Sequence, residues 1–161
     1  MPLTLNDFVG LGDPQLNTNW DIFLPDIEGQ NVSNLATGIE FNTEASEATP
    51  RFFDSSKKYY AGFSDVASFS IDFFEDDEHN VFKYITAWKQ LIKDGNGAYN
   101  LPKIYKKEIT AFLLTNTREI AATYKLTGCF PVGTSPLSFT SEAADAIRPN
   151  QEFSVDSVTL V

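Results

Sequence analysis

Few side chains in this sequence have types and spacing suited to covalent or metal chemistry. His79 is the single histidine, and it follows Asp76, Asp77 and Glu78. Carboxylates beside an imidazole could hold a divalent cation. A run Glu75-Asp76-Asp77-Glu78 directly ahead of a helical stripe is also what the unpaired N–H groups and dipole of a helix start favour, and that reading is adopted. One histidine cannot build a His-rich metal site, and a Ser-His-Asp triad would have to use His79 itself, with none to spare. Cys129, the one cysteine, excludes an internal disulfide and a Cys-based zinc knuckle, and reads as a small buried hydrophobe rather than a nucleophile. Neither GxxxxGK[ST] nor GxGxxG occurs, and Gly95-Asn96-Gly97 reads as a helix stop rather than a phosphate loop. Trp88 sits on an apolar stripe and reads as core rather than as a stacking platform for a cofactor. No catalytic, cofactor-binding or metal-binding residue is assigned, and the chain is not expected to be an enzyme.

Composition narrows the classes further. The 161 residues suit one domain, 1–161, and 14 Phe, 6 Tyr and 2 Trp are enough to build a core. Twelve Lys and Arg against 22 Asp and Glu give a net charge of −10, which disfavours binding nucleic acid by phosphate neutralisation. The longest apolar run, Ala111 to Leu114, is far too short to cross a bilayer as a helix. Met1 to Asp7 has no basic or apolar region of the kind a secretory signal needs. The basic cluster Lys103, Lys106 and Lys107 has two readings, a solvated strand end or a contact between subunits of an acidic chain.

The elements that would position these residues are mostly strands. Residues 1–18, broken by Gly10, Gly12 and Pro14, read as an N-terminal arm. Trp20–Leu24 reads as a first strand stopped by Pro25 and the turn Asp26-Ile27-Glu28-Gly29. Asn31–Phe41 reads as a second strand, with Gly38 as a bulge or point of close approach. Residues 42–62 show no period. They are small and acidic to Pro50, then aromatic and basic through Arg51-Phe52-Phe53 and Lys57-Lys58-Tyr59-Tyr60. A connection of that length is expected to make contacts rather than idle.

In Ser64–Phe74 the alternation is strict. Phe69, Ile71 and Phe73 point one way, and Ser68, Ser70 and Asp72 the other. The helix expected over about 76–93 carries Val81, Tyr84, Ile85, Trp88, Leu91 and Ile92 on one stripe, with Lys89 and Lys93 in its last turns. Ile104–Thr115 and Arg118–Thr127 read as a hairpin about Asn116-Thr117. A loop through Pro131, Gly133 and Pro136 precedes a short strand Leu137–Thr140 and a loop or turn of helix over Ser141–Pro149. Phe153–Val161 closes the chain, with a bulge where its apolar phase changes between Val155 and Val158. About seven strands and one inserted helix make a mainly β domain, an antiparallel sandwich or partial barrel.

From Phe63 onward the order of motifs resembles the tail tube protein family of contractile-tailed, T-even-like bacteriophages. The acidic Asp76-Asp77-Glu78-His79, Trp88 within the helix, Tyr105-Lys106-Lys107 before the hairpin and Leu126-Thr127-Gly128-Cys129-Phe130-Pro131 before the last strands carry the resemblance. Asn19-Trp20-Asp21-Ile22-Phe23 supports it more loosely.

The resemblance implies the Hcp-like tube fold and a structural virion protein without catalysis. Hexameric rings would stack into the inner tube of a contractile tail, ending at a baseplate hub or initiator and wrapped by a tail sheath protein. The tape measure protein and then phage DNA would pass through, the DNA without specific binding. The long loop 42–62 is expected to join stacked rings through Glu44, Glu47, Arg51, Phe52, Phe53, Lys57, Lys58, Tyr59 and Tyr60, together with the arm. Ser68, Ser70 and Asp72 are expected to face the lumen. Two other readings stay open. One is a baseplate tube initiator or a tube terminator of the same fold. The other is a monomeric sandwich that binds sugars on Phe52, Tyr59 and Tyr60.

Overall fold

Phe69, Ile71 and Phe73 are buried in the core as expected, but the strand expected over Ser64–Phe74 is formed only by Phe69–Phe73, and Ser64 and Asp65 end the strand before it. The computed structural model describes residues 15–43, 45–65, 68–133, 139, 141–142 and 144–161. Nine strands are formed among these: β1 Trp20–Phe23, β2 Ala36–Glu40, β3 Ala45–Phe53, β4 Ser56–Asp65, β5 Phe69–Phe73, β6 Lys107–Leu114, β7 Ile120–Val132, β8 Asn150–Ser154 and β9 Ser157–Leu160. Seven of them follow the antiparallel order β1-β6-β7-β8-β5-β2, with β9 also on β7, and β3-β4 stand apart as a two-stranded ribbon.

β7 joins two halves of this sheet. Its first part pairs β6 and β9, and Phe130, Pro131 and Val132 pair β8. The change falls at Gly128, whose φ of +68° is accessible to glycine at little cost. A Cβ there would run into the Asp156 carboxylate, which Lys106 Nζ holds at 2.9 Å. The expected stop after Thr127 is therefore corrected. Gly128 serves as a bulge within a 13-residue strand, and Pro131 is tolerated because β6 pairing has already ended at Lys107–Cys129. The phase change near Val155 likewise marks a break between β8 and β9, where Asp156 N–H donates to Thr127 O.

One helix, α1 (Asn80–Gln90), lies over the sheet. It is shorter than the expected 76–93, because the acidic run precedes it. His79 takes φ +64°, and the Glu75 carboxylate accepts from the N–H groups of Val81 and Phe82, at 3.0 and 3.1 Å. Asp76 accepts from Asn80 N–H at 2.9 Å. Acidic residues thus start the helix, as expected from the dipole, but from outside it. The stripe is buried from Val81 to Trp88, whereas Leu91 and Ile92 lie beyond the helix and are half-buried. Val81, Tyr84, Ile85 and Trp88 meet Phe69, Ile71, Phe73 and Phe153 of β5 and β8 in one core with Ile22, Ile109 and Leu126. Trp88 is fully buried, packs on Phe153 and Tyr84, and donates its indole N–H to Tyr105 O at 2.7 Å.

Other boundaries move for local reasons. Lys93 lies beyond the helix, over the Tyr99 ring at 4.9 Å. Pro102–Tyr105 forms a helical turn rather than the start of a strand, since proline at the first helical position loses no bond. Ser33–Leu35 is a 3-10 turn ahead of β2, and the register shift between Ala36 and Gly38 is the expected bulge. Of Leu137–Thr140, only Phe139 is among the described residues, and it is outside any strand.

Candidate functional site

The segment 42–62 is not an aperiodic loop. Residues 45–65 form the β3-β4 hairpin, turning through Asp54 at φ +48°. Its ladder sets Pro50 opposite Tyr59, Phe52 opposite Lys57, Thr49 opposite Tyr60 and Arg51 opposite Lys58. Directly paired residues share a face, so the two faces carry different aromatic sets. On one, Lys57 Nζ lies over both Phe52 and Tyr59, at 5.6 and 5.1 Å. On the other, Phe53 and Tyr60 meet edge to face, and Arg51 sits 5.5 Å from the Tyr60 ring centre. Phe52 and Tyr59 therefore do not share a platform with Tyr60, which corrects the sugar-binding arrangement.

Residues 46–62 are exposed throughout, Phe52 by 75% and Tyr59 by 62%. Among the described residues, neither β3 nor β4 pairs with a further strand. A lone two-stranded ribbon is marginal in water, and one with four exposed aromatic rings presents a surface suited to a partner. Of the expected contact residues, Glu47 lies on the ribbon near its base, whereas Glu44 lies outside the described residues. Most of the N-terminal arm also falls outside them.

The expected polar face of β5 is present and more acidic than Ser68, Ser70 and Asp72 alone suggest. Cross-strand pairing aligns Glu40, Ser70 and Glu152, and it places Asp72 between Gly38 and Asn150. Glu40, Ser70, Asn150 and Glu152 border a shallow groove of about 240 Å³ that includes Ser68, whose hydroxyl donates to Glu152 Oε1 at 2.5 Å. Glu40 and Glu152 were not singled out in the sequence. Their signal is the same outward phase on the neighbouring strands, visible once the register is known.

The sheet is open between its edges. A groove of about 470 Å³ runs between β1 and β2, lined in part by Trp20, Thr37, Ile39, Phe41 and Leu113. Side chains cover part of the β1 edge: Asp21 accepts from Ile22 N–H, Ser33 Oγ accepts from Leu24 N–H, and Asn31 donates to Leu24 O.

Residues with possible chemical roles are used structurally. Burial pushes the Cys129 thiol up to about 12, and the sulfur donates to Leu126 O, so it is no thiolate at neutral pH. Burial also raises the Tyr84 phenol, with a smaller push from Asp26, and its hydroxyl donates to Pro25 O at 2.6 Å. His79 stacks on Phe82, with Nδ1 3.8 Å from Glu75. Of the basic cluster, Lys106 braces the β7 bulge through Asp156, while Lys103 is exposed. Among the described residues, no three His, Cys, Asp or Glu side chains are grouped to hold a metal ion, and no helix is long and apolar enough to cross a membrane.

Comparison of the coordinates with solved structures gives end-to-end matches. The anti-feeding prophage tube-terminating cap aligns with a TM-score of 0.71 over 98% of this chain and 97% of its own, at 16% identity. The chain has the tail-tube fold. A chain from the sheath–tube complex of an extracellular contractile injection system, in the extended state, aligns with a TM-score of 0.66 over 99% of both chains, at 16% identity. A type six secretion system protein aligns with a TM-score of 0.53 over 88% of this chain and 81% of its own, at 12% identity. These likenesses bear out the mainly β, Hcp-like architecture with one helix expected from the motif order. No protein-family model and no curated protein matches the sequence.

Proposed function

We propose that the protein is the repeating subunit of the inner tube of a contractile particle, acting structurally and without catalysis. Six copies close a ring, and rings stack head to tail through the β3-β4 hairpin together with the N-terminal arm. The observation that carries this reading is the hairpin itself, a ribbon of aromatic and cationic residues with no further strand partner among the described residues. Burying each large apolar side chain on a neighbour would contribute roughly 1.5–3 kcal/mol, repeated around the ring. Opposite charges would fix the register. Ring closure also covers the open edges at β1 and β2, which a lone subunit leaves available for unwanted pairing.

In this reading the face bearing Ser68, Ser70, Asp72, Glu40 and Glu152 lines the bore. A wall of carboxylates and hydroxyls does not retain phosphates, so phage DNA passes behind the tape measure protein without being held. The sheath surrounds the tube and the baseplate hub or initiator starts it. The tube belongs to the virion or tail-like particle and is made in the bacterial host cytoplasm.

The likeness to a tube-terminating cap favours a second reading, in which the protein ends a tube rather than extends it. Replacing residues 44–58 by a short Gly/Ser link separates the possibilities. A repeating subunit should then stop at single rings or monomers, whereas the unaltered chain polymerises. Tubes of normal length from the shortened chain would refute the hairpin's role. Single rings from the unaltered chain would favour the cap.

A further inference from the structure

We propose that the hairpin of one copy seats on a specific surface of a second copy, the shelf formed by the Glu28-Gly29 turn and the Asp77-Glu78 approach to α1. The inference rests on the stacking role above and names the surface that receives the hairpin.

Topology places the two surfaces at opposite ends of the same strand pair. β2 begins after the Ser33–Leu35 turn and leads at Glu40 towards the hairpin. β5 returns from the hairpin at Phe69 and runs at Phe73 into Glu75–Glu78. Phe74 N–H donates to Leu35 O, and Glu75 N–H donates to Ile147 O, which tie the second end together. Strands of five residues separate the ends by about 17 Å. A projection at one end and its seat at the other form a heterologous contact, which repeats along an axis without closing.

The shelf has both shape and charge for this occupant. Ile27 and Gln30 exchange backbone hydrogen bonds at 3.0 and 2.9 Å, so that Glu28 and Gly29 stand out at the tip of a tight turn. The Tyr84 hydroxyl ties the preceding Pro25 carbonyl to α1. Grooves flank the turn on both sides. One, of about 410 Å³, lies against Phe82, Thr86 and Ala87, and the other, of about 320 Å³, lies against Leu35, Asp76 and Asn80. Glu28 and Lys83 line the first groove and Asp76 the second, and Asp26, Asp77 and Glu78 of the same two turns are exposed.

The outer part of the hairpin, 51–58, answers with Arg51, Lys57 and Lys58 against Asp54, while Glu47 and Asp65 lie towards its base. Arg51 and Lys58 oppose each other directly across the ladder, an arrangement that disfavours the isolated ribbon and is relieved by carboxylates of a partner. Aromatic rings from one hairpin face fill the grooves, and the cations meet the turn and the Asp77-Glu78 pair.

The test uses the full chain, with sedimentation and negative-stain microscopy to read the concentration at which polymer forms, and circular dichroism to confirm folding. Asp77→Lys/Glu78→Lys reverses the shelf while sparing the capping carboxylates Glu75 and Asp76. Lys57→Glu/Lys58→Glu reverses the hairpin. Each double reversal should raise the polymerising concentration by on the order of tenfold or more, and the fourfold variant should fall back towards the starting value. If the lysine shelf variant fails to fold, Asp77→Asn/Glu78→Gln should still give a smaller shift in the same direction. A shelf variant that polymerises like the unaltered chain, beside a hairpin variant that does not, overturns this seat and leaves the stacking role standing. No recovery in the fourfold variant also overturns the pairing. If neither reversal matters, the stacking role falls with it.

Discussion

Replacing Trp88 by alanine tests the packing on which every surface described above depends. The indole is fully buried, its ring centre 5.4 Å from Phe153 and 5.9 Å from Tyr84, and its N–H satisfies the Tyr105 carbonyl at 2.7 Å. Truncation removes the largest side chain of the core and leaves a cavity between helix and sheet, at a cost of about 3–5 kcal/mol. That is a large share of the roughly 5–15 kcal/mol that holds a domain folded. In a chain of this size it lowers the melting temperature by about 6–20 °C. Trp88→Phe keeps one aromatic ring but removes the donor to the Tyr105 carbonyl, so it combines a smaller cavity with a hydrogen-bond loss of about 1–3 kcal/mol. Urea unfolding followed by circular dichroism, on unassembled protein, gives both values. A Trp88→Ala loss below about 1 kcal/mol would refute the account of the helix as the lid of the core.

Three further outcomes are expected. Glu75→Ala strands the buried N–H of Val81 as well as that of Phe82, and should cost about 2–4 kcal/mol in the same unfolding assay, with Glu75→Gln retaining part of the loss. The Asn80 N–H bond holds the Asp76 carboxyl below its ordinary 3.8. A depressed folded value contributes stability that is present above about pH 4 and lost as pH falls through the lower value, so Asp76→Asn should flatten the acid limb of a stability–pH curve. Gly128→Ala meets both a left-handed backbone and the Asp156 carboxylate, and should destabilise by about 1–3 kcal/mol. Asp156→Ala should recover part of that loss in a double-mutant cycle.

What the sequence made legible follows from burial. β5 shows strict alternation because one face meets the core, and α1 shows its stripe because one side lies on the sheet. Gly38 was legible as a bulge for a different reason, as a glycine within a strand, and the register does shift there.

The hairpin was not legible as strands. Neither of its faces is buried in the chain, so Thr49, Arg51 and Phe53 alternate with Pro50 and Phe52 without any polar–apolar contrast. Its residues nevertheless stood out for their aromatic and cationic character, which reflects a surface held out to solvent. β7 hid differently, since Gly128 and Pro131 read as breakers. One is a bulge and the other lies where no further β6 pairing is lost. The carboxylates of Glu40 and Glu152 joined Asp72 only through the register of three strands, information no single stretch of sequence contains.

Electron microscopy of the purified, unaltered chain at increasing concentration tests the central claim most directly. The account predicts hollow tubes of stacked six-fold rings, lengthening as concentration rises. Particles that remain single 17.9 kDa subunits at every concentration would contradict it.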